Sequence, residues 1–232
     1  VHLGQHEGET RYSTREIVEF ENALLASIEA GKHSQSHRLS SERVENVLTR
    51  YDTATDEQLS AVRHITEEPG TVKCVRGMAG TGKTFMLHMA REAWEQDGFH
   101  VLGAALSGKA AEGLQEGSGI QSATIALRLI QFDSDQSPPL DARTVIVIDD
   151  AGMVGTRQMA EINVRAEAAG AKLVLVGDER QLQAIEAGGV FKAMCDRVGA
   201  VELNDIRRQK EEWQKQTVRD LADGNAEKAL MT

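Results

Sequence analysis

The sequence is poor in aromatic residues and in positive charge. Only 4% of its 232 residues are aromatic, which leaves little material for a platform on which nucleic-acid bases could stack. The 26 lysines and arginines face 36 acidic residues, so the formal net charge is −10. This balance argues against a free-standing protein that binds nucleic acid through charge alone. Any contact with DNA has to be local, with basic side chains gathered in one groove.

Other absences narrow the class of protein further. Cys74 and Cys195 are far apart and have no C-x-x-C spacing, which predicts two buried thiols in a reducing compartment. No apolar run approaches the roughly 20 residues of a membrane span, and no signal peptide pattern is present. We therefore expect a cytoplasmic protein. The chain begins at Val1 rather than at methionine, which indicates a fragment of a longer protein.

What the sequence does contain is a phosphate-binding pattern. Residues 77–84, GMAGTGKT, fit G-x-x-x-x-G-K-[ST]. A β-branched run over residues 71–76 predicts a strand before it, and residues 85–96 have helical periodicity. Glycines in such a turn let backbone N–H groups approach a polyphosphate, and the helix N-terminus adds its partial positive charge. Lys83 would reach the β- and γ-phosphates, and the Thr84 hydroxyl would bind Mg²⁺.

Strands and helices alternate along the rest of the chain and predict an α/β fold. Continuous apolar strands joined by helices imply a parallel sheet that helices cover on both faces. Ligands of such sheets bind at the carboxyl ends of the strands. Capping boxes at Ser13 and Thr55 indicate helices in the charged N-terminal part. We therefore predict an N-terminal helical segment over residues 1–52 and an α/β domain over residues 53–232.

An acidic pair follows one of the apolar strands. The strand predicted at residues 144–148 runs directly into Asp149 and Asp150. An apolar strand that ends in an acid beside a phosphate loop is the Walker B arrangement, in which Asp149 would hold Mg²⁺ directly or through water. Asp150 would position or deprotonate the attacking water. A pair of turn acids without a catalytic role is the alternative interpretation.

Two later motifs add polar groups at strand ends. GDERQL at residues 177–182 contains Gln181, which could sense the γ-phosphate and the nucleophilic water. Arg207 and Arg208 offer a guanidinium group for the charge of a transition state. A surface turn and a solvated arginine pair are the structural alternatives for these two motifs.

The order of these motifs resembles the superfamily 1B helicases of the RecD type. The motifs are Gln58, GMAGTGKT, LSGKAAEGL at residues 106–114, IDDAGMV at residues 148–154, GDERQLQAIEAGG at residues 177–189 and IRRQ at residues 206–209. The residues of these motifs are most similar to those in the helicase part of TraA-type conjugative relaxases. The resemblance covers approximately residues 10–230. It implies a RecA-like P-loop fold and the first motor domain of an ATP-dependent DNA helicase. A second motor domain and a relaxase nuclease domain would be its partners in a bacterial parent protein.

The resemblance also implies roles for individual residues. Gln58 would contact the adenine edge, beside the phosphate-binding residues Gly77, Met78, Ala79, Gly80, Thr81, Gly82, Lys83, Thr84 and Phe85. The catalytic residues would be Lys83, Asp150, Gln181 and Arg208, and the Mg²⁺ ligands would be Thr84 and Asp149. Gln181 would couple the γ-phosphate to DNA, and Arg208 would touch the γ-phosphate. Single-stranded DNA would pass over Ser107, Gly108, Lys109 and Thr124, which would meet phosphates without reading bases.

The chain departs from the family at Asp150, where glutamate is usual. Aspartate is one methylene shorter, and a misplacement of about 1 Å can cost about a hundredfold in rate. A nucleotide-dependent DNA clamp or interaction module with weak hydrolysis is therefore one alternative function. A P-loop kinase is a second alternative, although Gln58 and the GDERQL motif speak against it. A GTPase is disfavoured because the sequence has no N-K-x-D motif.

Overall fold

The computed structural model describes residues 2–6, 9–134, 139–178 and 190–205. In chain order its strands and α-helices are β1 (His2–His6), β2 (Glu9–Tyr12), α1 (Arg15–Ala30), α2 (Ser41–Leu48), α3 (Asp56–Glu67), β3 (Val72–Gly77), α4 (Lys83–Gln96), β4 (His100–Ala105), α5 (Gly108–Ser118), β5 (Gln121–Thr124), α6 (Ile125–Phe132), β6 (Thr144–Ile148), α7 (Thr156–Ala169), β7 (Lys172–Gly177), α8 (Val190–Val198) and β8 (Ala200–Leu203). A short 3-10 helix, Ala151–Met153, follows β6. No helix in these described ranges is long and apolar enough to cross a membrane.

Six parallel strands form one sheet in the order β5–β4–β6–β7–β3–β8. Every residue of β6 and of β7 is buried, which explains why these strands do not alternate and are apolar apart from their first residues, Thr144 and Lys172. The predicted α/β fold with a parallel sheet is confirmed. Because β7 lies between β3 and β6, its carboxyl end stands between the phosphate loop and the acidic pair.

Helices cover both faces of this sheet and bury one apolar core on each. Val145 and Val147 of β6 face a core shared with α2, α3 and α4, in which Trp94 is fully buried. Ile146 and Ile148 face the opposite core, formed with α1, α7 and α8. The alternation within β6 therefore sends successive side chains to opposite cores, as the pleat of a strand requires.

The two cysteines lie together in the second of these cores. Cys74 belongs to β3 and Cys195 to α8, and both thiols are buried. The hydrogen bond with Cys195, followed by burial, raises the pKa of the Cys74 thiol well above its usual value. The prediction of two buried thiols is confirmed, whereas their contact was invisible in a sequence that separates them widely.

The N-terminal part differs from the predicted helical segment over its first residues. β1 and β2 pair as a two-stranded antiparallel sheet, whereas α1 and α2 are the expected helices. The cap of α1 is also shifted by one residue from the predicted Ser13, because Thr14 is the N-cap and its hydroxyl accepts from Ile17 N at 3.2 Å. The helix therefore begins only at Arg15, and Gly4 in β1 disfavours a helix in the preceding segment.

The edge strand β5 was also missed by the sequence analysis. Its four residues, QSAT, carry none of the apolar pattern of a buried strand. It pairs in parallel with β4, and buried Arg128 donates to the carbonyls of Gly103 at 3.0 Å and Gln121 at 2.5 Å. A charged side chain on α6 thus bonds β5 to the sheet, and no local sequence pattern predicts this contact.

Candidate nucleotide-binding site

The phosphate loop connects β3 to α4 as predicted, and two glycines shape its turn. Gly80 has a φ of 86° and Gly82 has a φ of 81°, in the left-handed region that residues with a Cβ avoid. Gly82 is the N-cap of α4. The loop closes on itself because Thr81 Oγ1 donates to the Met78 carbonyl at 2.9 Å. The turn therefore presents the N-terminus of a long helix at the end of a buried strand.

Lys83 and Thr84 occupy the first two positions of α4. The ammonium group of Lys83 donates to the carbonyl oxygens of Gly77 at 2.8 Å and Met78 at 3.1 Å. These bonds hold the charge of Lys83 over the loop. Thr84 is half-buried at the base of the same loop, so the predicted phosphate and Mg²⁺ ligands are adjacent.

Gln58 reaches the same loop from α3. Thr55 and Gln58 form the predicted capping box, in which Gln58 Oε1 accepts from Thr55 N at 3.2 Å and Thr55 Oγ1 accepts from Gln58 N at 3.2 Å. Gln58 Nε2 donates to the Thr81 carbonyl at 3.1 Å. The side chain predicted to contact adenine is therefore engaged with the helix cap and with the phosphate loop.

The acidic pair lies at the carboxyl end of β6. Asp149 Oδ1 accepts from Asp150 N at 3.0 Å. Burial, and then the charge of Asp150, raise the pKa of Asp149, whereas the Asp150 N–H and the charge of Lys83 lower it. The phosphate loop follows β3 and the acidic pair follows β6, and both of these strands neighbour β7 in the sheet. The structure brings together the residues predicted to bind phosphate and metal.

Asp150 has an unusual backbone conformation. With φ at 50° and ψ at 39° it lies in the left-handed region, and it is the one non-glycine residue of the described ranges with a positive φ. Aspartate tolerates this region better than most residues because its short side chain bonds locally. The bend at Asp150 turns the chain into the 3-10 helix that follows it.

Gly177 lets β7 approach that bend. A Cβ placed on Gly177 would lie 2.8 Å from the nitrogen of Gly152 and 2.9 Å from that of Ala151, closer than any side chain could fit against backbone. The glycine of the GDERQL motif therefore allows β7 to pack on the turn behind the acidic pair. The sequence motif alone does not predict this packing role of Gly177.

Two predicted catalytic residues, Gln181 and Arg208, lie outside the described residues, and their roles stay predictions. The chain that leads toward Arg208 is nevertheless described as far as Asp205. Glu57 Oε2 accepts from the backbone nitrogens of Asn204 at 2.7 Å and Asp205 at 2.9 Å. The first turn of α3 therefore makes two contacts. Glu57 binds the backbone just after β8, and Gln58 binds the phosphate loop.

The residues predicted to meet DNA gather at the carboxyl ends of β4 and β5. Ser107 caps α5, where its Oγ accepts from Ala110 N at 3.2 Å, and Thr124 caps α6, where its Oγ1 accepts from Leu127 N at 3.2 Å. Ala105 pairs with Thr124 across the two strands. Gly108 and Lys109 are exposed in the first turn of α5. The arrangement offers two helix N-termini and one lysine on one edge.

Comparison with known proteins places this geometry in a family. A family model described as AAA domain (AAA_30) matches residues 53–232. The chain belongs to this AAA family. The match covers the phosphate loop, the acidic pair and all six strands of the parallel sheet.

This AAA domain is also similar to proteins of conjugal transfer. It is 44% identical to the conjugal transfer protein TraA of Rhizobium radiobacter over 95% of this chain and 20% of that protein. It is 30% identical to the multifunctional conjugation protein TraI of Escherichia coli over 94% of this chain and 12% of that protein. The resemblance found in the motifs is confirmed. The chain spans about a fifth of the length of the TraA relatives it matches.

One solved structure shares the fold. The Pif1 helicase of Candida albicans superposes with a TM-score of 0.55 at 18% identity, over 74% of this chain and 44% of that one. At that identity the likeness concerns the fold alone. Together these findings define an AAA domain with a P-loop architecture.

Proposed function

We propose that this AAA domain binds and hydrolyses ATP as the first motor domain of a DNA helicase in conjugative DNA transfer. The observation that carries the proposal is the convergence of the phosphate loop and the acidic pair, which follow β3 and β6 and so flank the carboxyl end of β7. Identity of 44% with a conjugal transfer protein supports the biological setting. By this proposal the domain works in the bacterial cytoplasm.

The described residues fit Mg²⁺ and a nucleoside triphosphate. Gly80 and Gly82 open the turn for backbone contacts, and the N-terminus of α4 favours an anion. The Lys83 ammonium now bonds to neutral carbonyls, and an anionic phosphate oxygen is a stronger acceptor than these. The hydroxyl of Thr84 and the carboxylate of Asp149 are the oxygen ligands that Mg²⁺ prefers.

Each residue then has a defined task. ATP supplies the phosphoanhydride bond, and Mg²⁺ supplies charge neutralisation. Lys83 would stabilise negative charge on the phosphate oxygens, and Thr84 and Asp149 would hold the metal. Asp150 orients the attacking water and accepts its proton. Gln181 and Arg208 complete the site in this proposal, as the γ-phosphate sensor and the arginine that faces developing charge.

DNA would contact the edge formed by Ser107, Gly108, Lys109 and Thr124. Backbone N–H groups at the starts of α5 and α6 suit phosphate contacts that are independent of sequence. In the parent protein a second motor domain would complete the groove, and hydrolysis would open and close the two domains on single-stranded DNA. A relaxase nuclease domain is the further partner that we propose.

A nucleotide-dependent clamp with weak hydrolysis is the second candidate. It is favoured by Asp150, which is shorter than the usual glutamate and sits in a left-handed bend. Tight binding of Mg-ATP without turnover, in the presence of single-stranded DNA and within the full-length parent, would identify this function. A P-loop kinase is not supported by the conjugal transfer relatives.

Calorimetry of Mg-ATP binding tests the proposal. We expect the wild type to bind and Lys83→Ala to lose most of the affinity, with an unchanged circular dichroism spectrum. A steady-state assay should then show that single-stranded DNA raises the ATPase rate of the parent protein. Equal affinity of the wild type and Lys83→Ala would reject nucleotide binding at this loop.

A further inference from the structure

We propose that Gln58 is a positioning residue that holds the phosphate loop in its phosphate-binding shape through the backbone carbonyl of Thr81. The inference rests on the proposed nucleotide binding and deepens it. In this role Gln58 acts on every phosphate ligand of the loop, whichever base the ligand carries.

The burial of Gln58 is the first support. Only 1% of the residue is exposed, so a base has little access to its amide in this arrangement. Its oxygen accepts from Thr55 N at 3.2 Å, and its nitrogen donates to Thr81 O at 3.1 Å. Both ends of the amide are therefore bound to backbone, one to the helix cap and one to the loop.

The contact with the loop also fixes the direction of a peptide unit. Because a trans peptide is planar, its C=O and N–H point in opposite directions. When the Thr81 carbonyl points toward Gln58, the N–H of Gly82 must point away from α3. Backbone N–H groups at the start of a helix are what binds phosphate. A bond to the carbonyl thus orients a donor on the other side of the same peptide.

Packing around Gly82 makes this contact close. A Cβ on Gly82 would lie 2.2 Å from Gln58 Nε2, so the amide occupies the space that a side chain at this position would need. Thr81 is itself 2% exposed, which keeps water from replacing the amide as a donor. Losing the amide would leave a buried carbonyl without this partner, and such groups are costly.

The test separates a loop contact from a base contact by using a ligand without a base. Calorimetry would measure the affinity of the whole chain for Mg-ATP, Mg-GTP and Mg-tripolyphosphate. Gln58→Glu is the most specific variant, because glutamate can keep the capping box with Thr55 while an oxygen replaces the amide nitrogen that donates to Thr81. Ser60→Glu, at an exposed position of the same helix, controls for the added charge. Gln58→Ala, with its thermal melting curve, provides an uncharged variant.

We expect Gln58→Glu and Gln58→Ala to lower the affinity for all three ligands by a similar factor, about tenfold or more. Ser60→Glu should bind all three with the affinity of the wild type. A loss confined to Mg-ATP would assign Gln58 to the adenine and overturn the inference. Unchanged affinities in the Gln58 variants would overturn it as well, while leaving the proposed function intact. A wild type that binds none of the ligands would reject the proposed function and this inference together.

Discussion

The two ends of the parallel sheet both carry polar residues, yet they use them differently. At the carboxyl end, Lys83 and Asp149 stand at loops where part of each side chain stays accessible. At the amino end, Lys172 of β7 is 0% exposed and His37 is 2% exposed. Burial, and then the charge of Lys73, lower the pKa of Lys172 to about 7. A perturbed pKa marks both ends, so by itself it does not identify the functional one.

The charges at the amino end are partly compensated. Lys73 Nζ donates to Glu68 Oε2 at 2.8 Å, and His64 Nδ1 lies 2.8 Å from the same oxygen. Lys172 Nζ donates to the Gly70 carbonyl at 3.3 Å. One glutamate thus serves a lysine and a histidine, while Lys172 has a neutral acceptor. Left-handed glycines also occur at this end, but each stands alone just before a strand, as Gly170 does before β7, whereas two of them shape the phosphate loop at the start of a helix. We therefore expect substitutions there to alter stability, and substitutions at the carboxyl end to alter turnover.

The largest expected effect follows from exchanging one acid at each end of β6. Asp149→Ala should lower the ATPase rate by about a thousandfold, because metal coordination contributes several kcal/mol to charge stabilisation. Asp141, before the same strand, accepts from Arg143 N and Thr144 Oγ1, each at 2.9 Å. Asp141→Ala is the matched control, and it should reduce stability while leaving turnover intact. A steady-state assay in which both variants turn over equally well would erase the proposed distinction between the ends.

A smaller change, in the opposite direction, is expected from Asp150→Glu. The longer side chain recovers about 1 Å of reach, which is worth about a hundredfold in rate. The left-handed backbone at position 150 opposes glutamate by about 1–2 kcal/mol, or roughly tenfold. The gain from the longer side chain should exceed the cost of the left-handed backbone, and the rate of hydrolysis should rise about tenfold. Asp150→Asn, which tolerates the same backbone, should lower the rate. If Asp150→Glu is slower than the wild type, the site is built around aspartate.

The sequence allowed much of the carboxyl end to be predicted and little of the amino end. The phosphate loop and the acidic pair are local patterns, each joined to a strand of obvious apolar character. By contrast, the bond from Gln58 to Thr81 and that from Lys172 to Gly70 join residues that are distant along the chain. Local periodicity carries no information about such pairs. Local periodicity also does not predict that Lys172, at the start of an apolar strand, is buried.

The amino end should respond in stability and in pH dependence. Lys172→Met should increase the free energy of unfolding near neutral pH by about 2 kcal/mol, since apolar replacement of a buried charge is commonly stabilising. The folded pKa of Lys172 is lowered to about 7 from 10.5, so the unfolded chain binds more protons between these values. The gain should therefore be complete below pH 7 and shrink as the pH rises toward 10.5. Urea denaturation at pH 6.5 and at pH 9.5 measures this difference. Equal gains at both values would show that Lys172 does not titrate as its burial predicts.

The smallest expected effect concerns DNA at the carboxyl ends of β4 and β5. By the proposed function this chain, with a net charge of −10, supplies one of two motor domains and about half the phosphate contacts of a complete groove. We therefore expect weak binding of single strands that falls with salt. Lys109→Ala should weaken binding several-fold at low salt and reduce the salt slope by about one phosphate contact. Lys32 is the matched control, because it donates to the Arg197 carbonyl near the amino end, and Lys32→Ala should leave binding unchanged. Fluorescence anisotropy of a labelled oligonucleotide, measured across a salt series, gives both the affinity and its dependence on salt. Equal losses in the two variants would mean that DNA responds to the overall charge of the domain instead of to this edge.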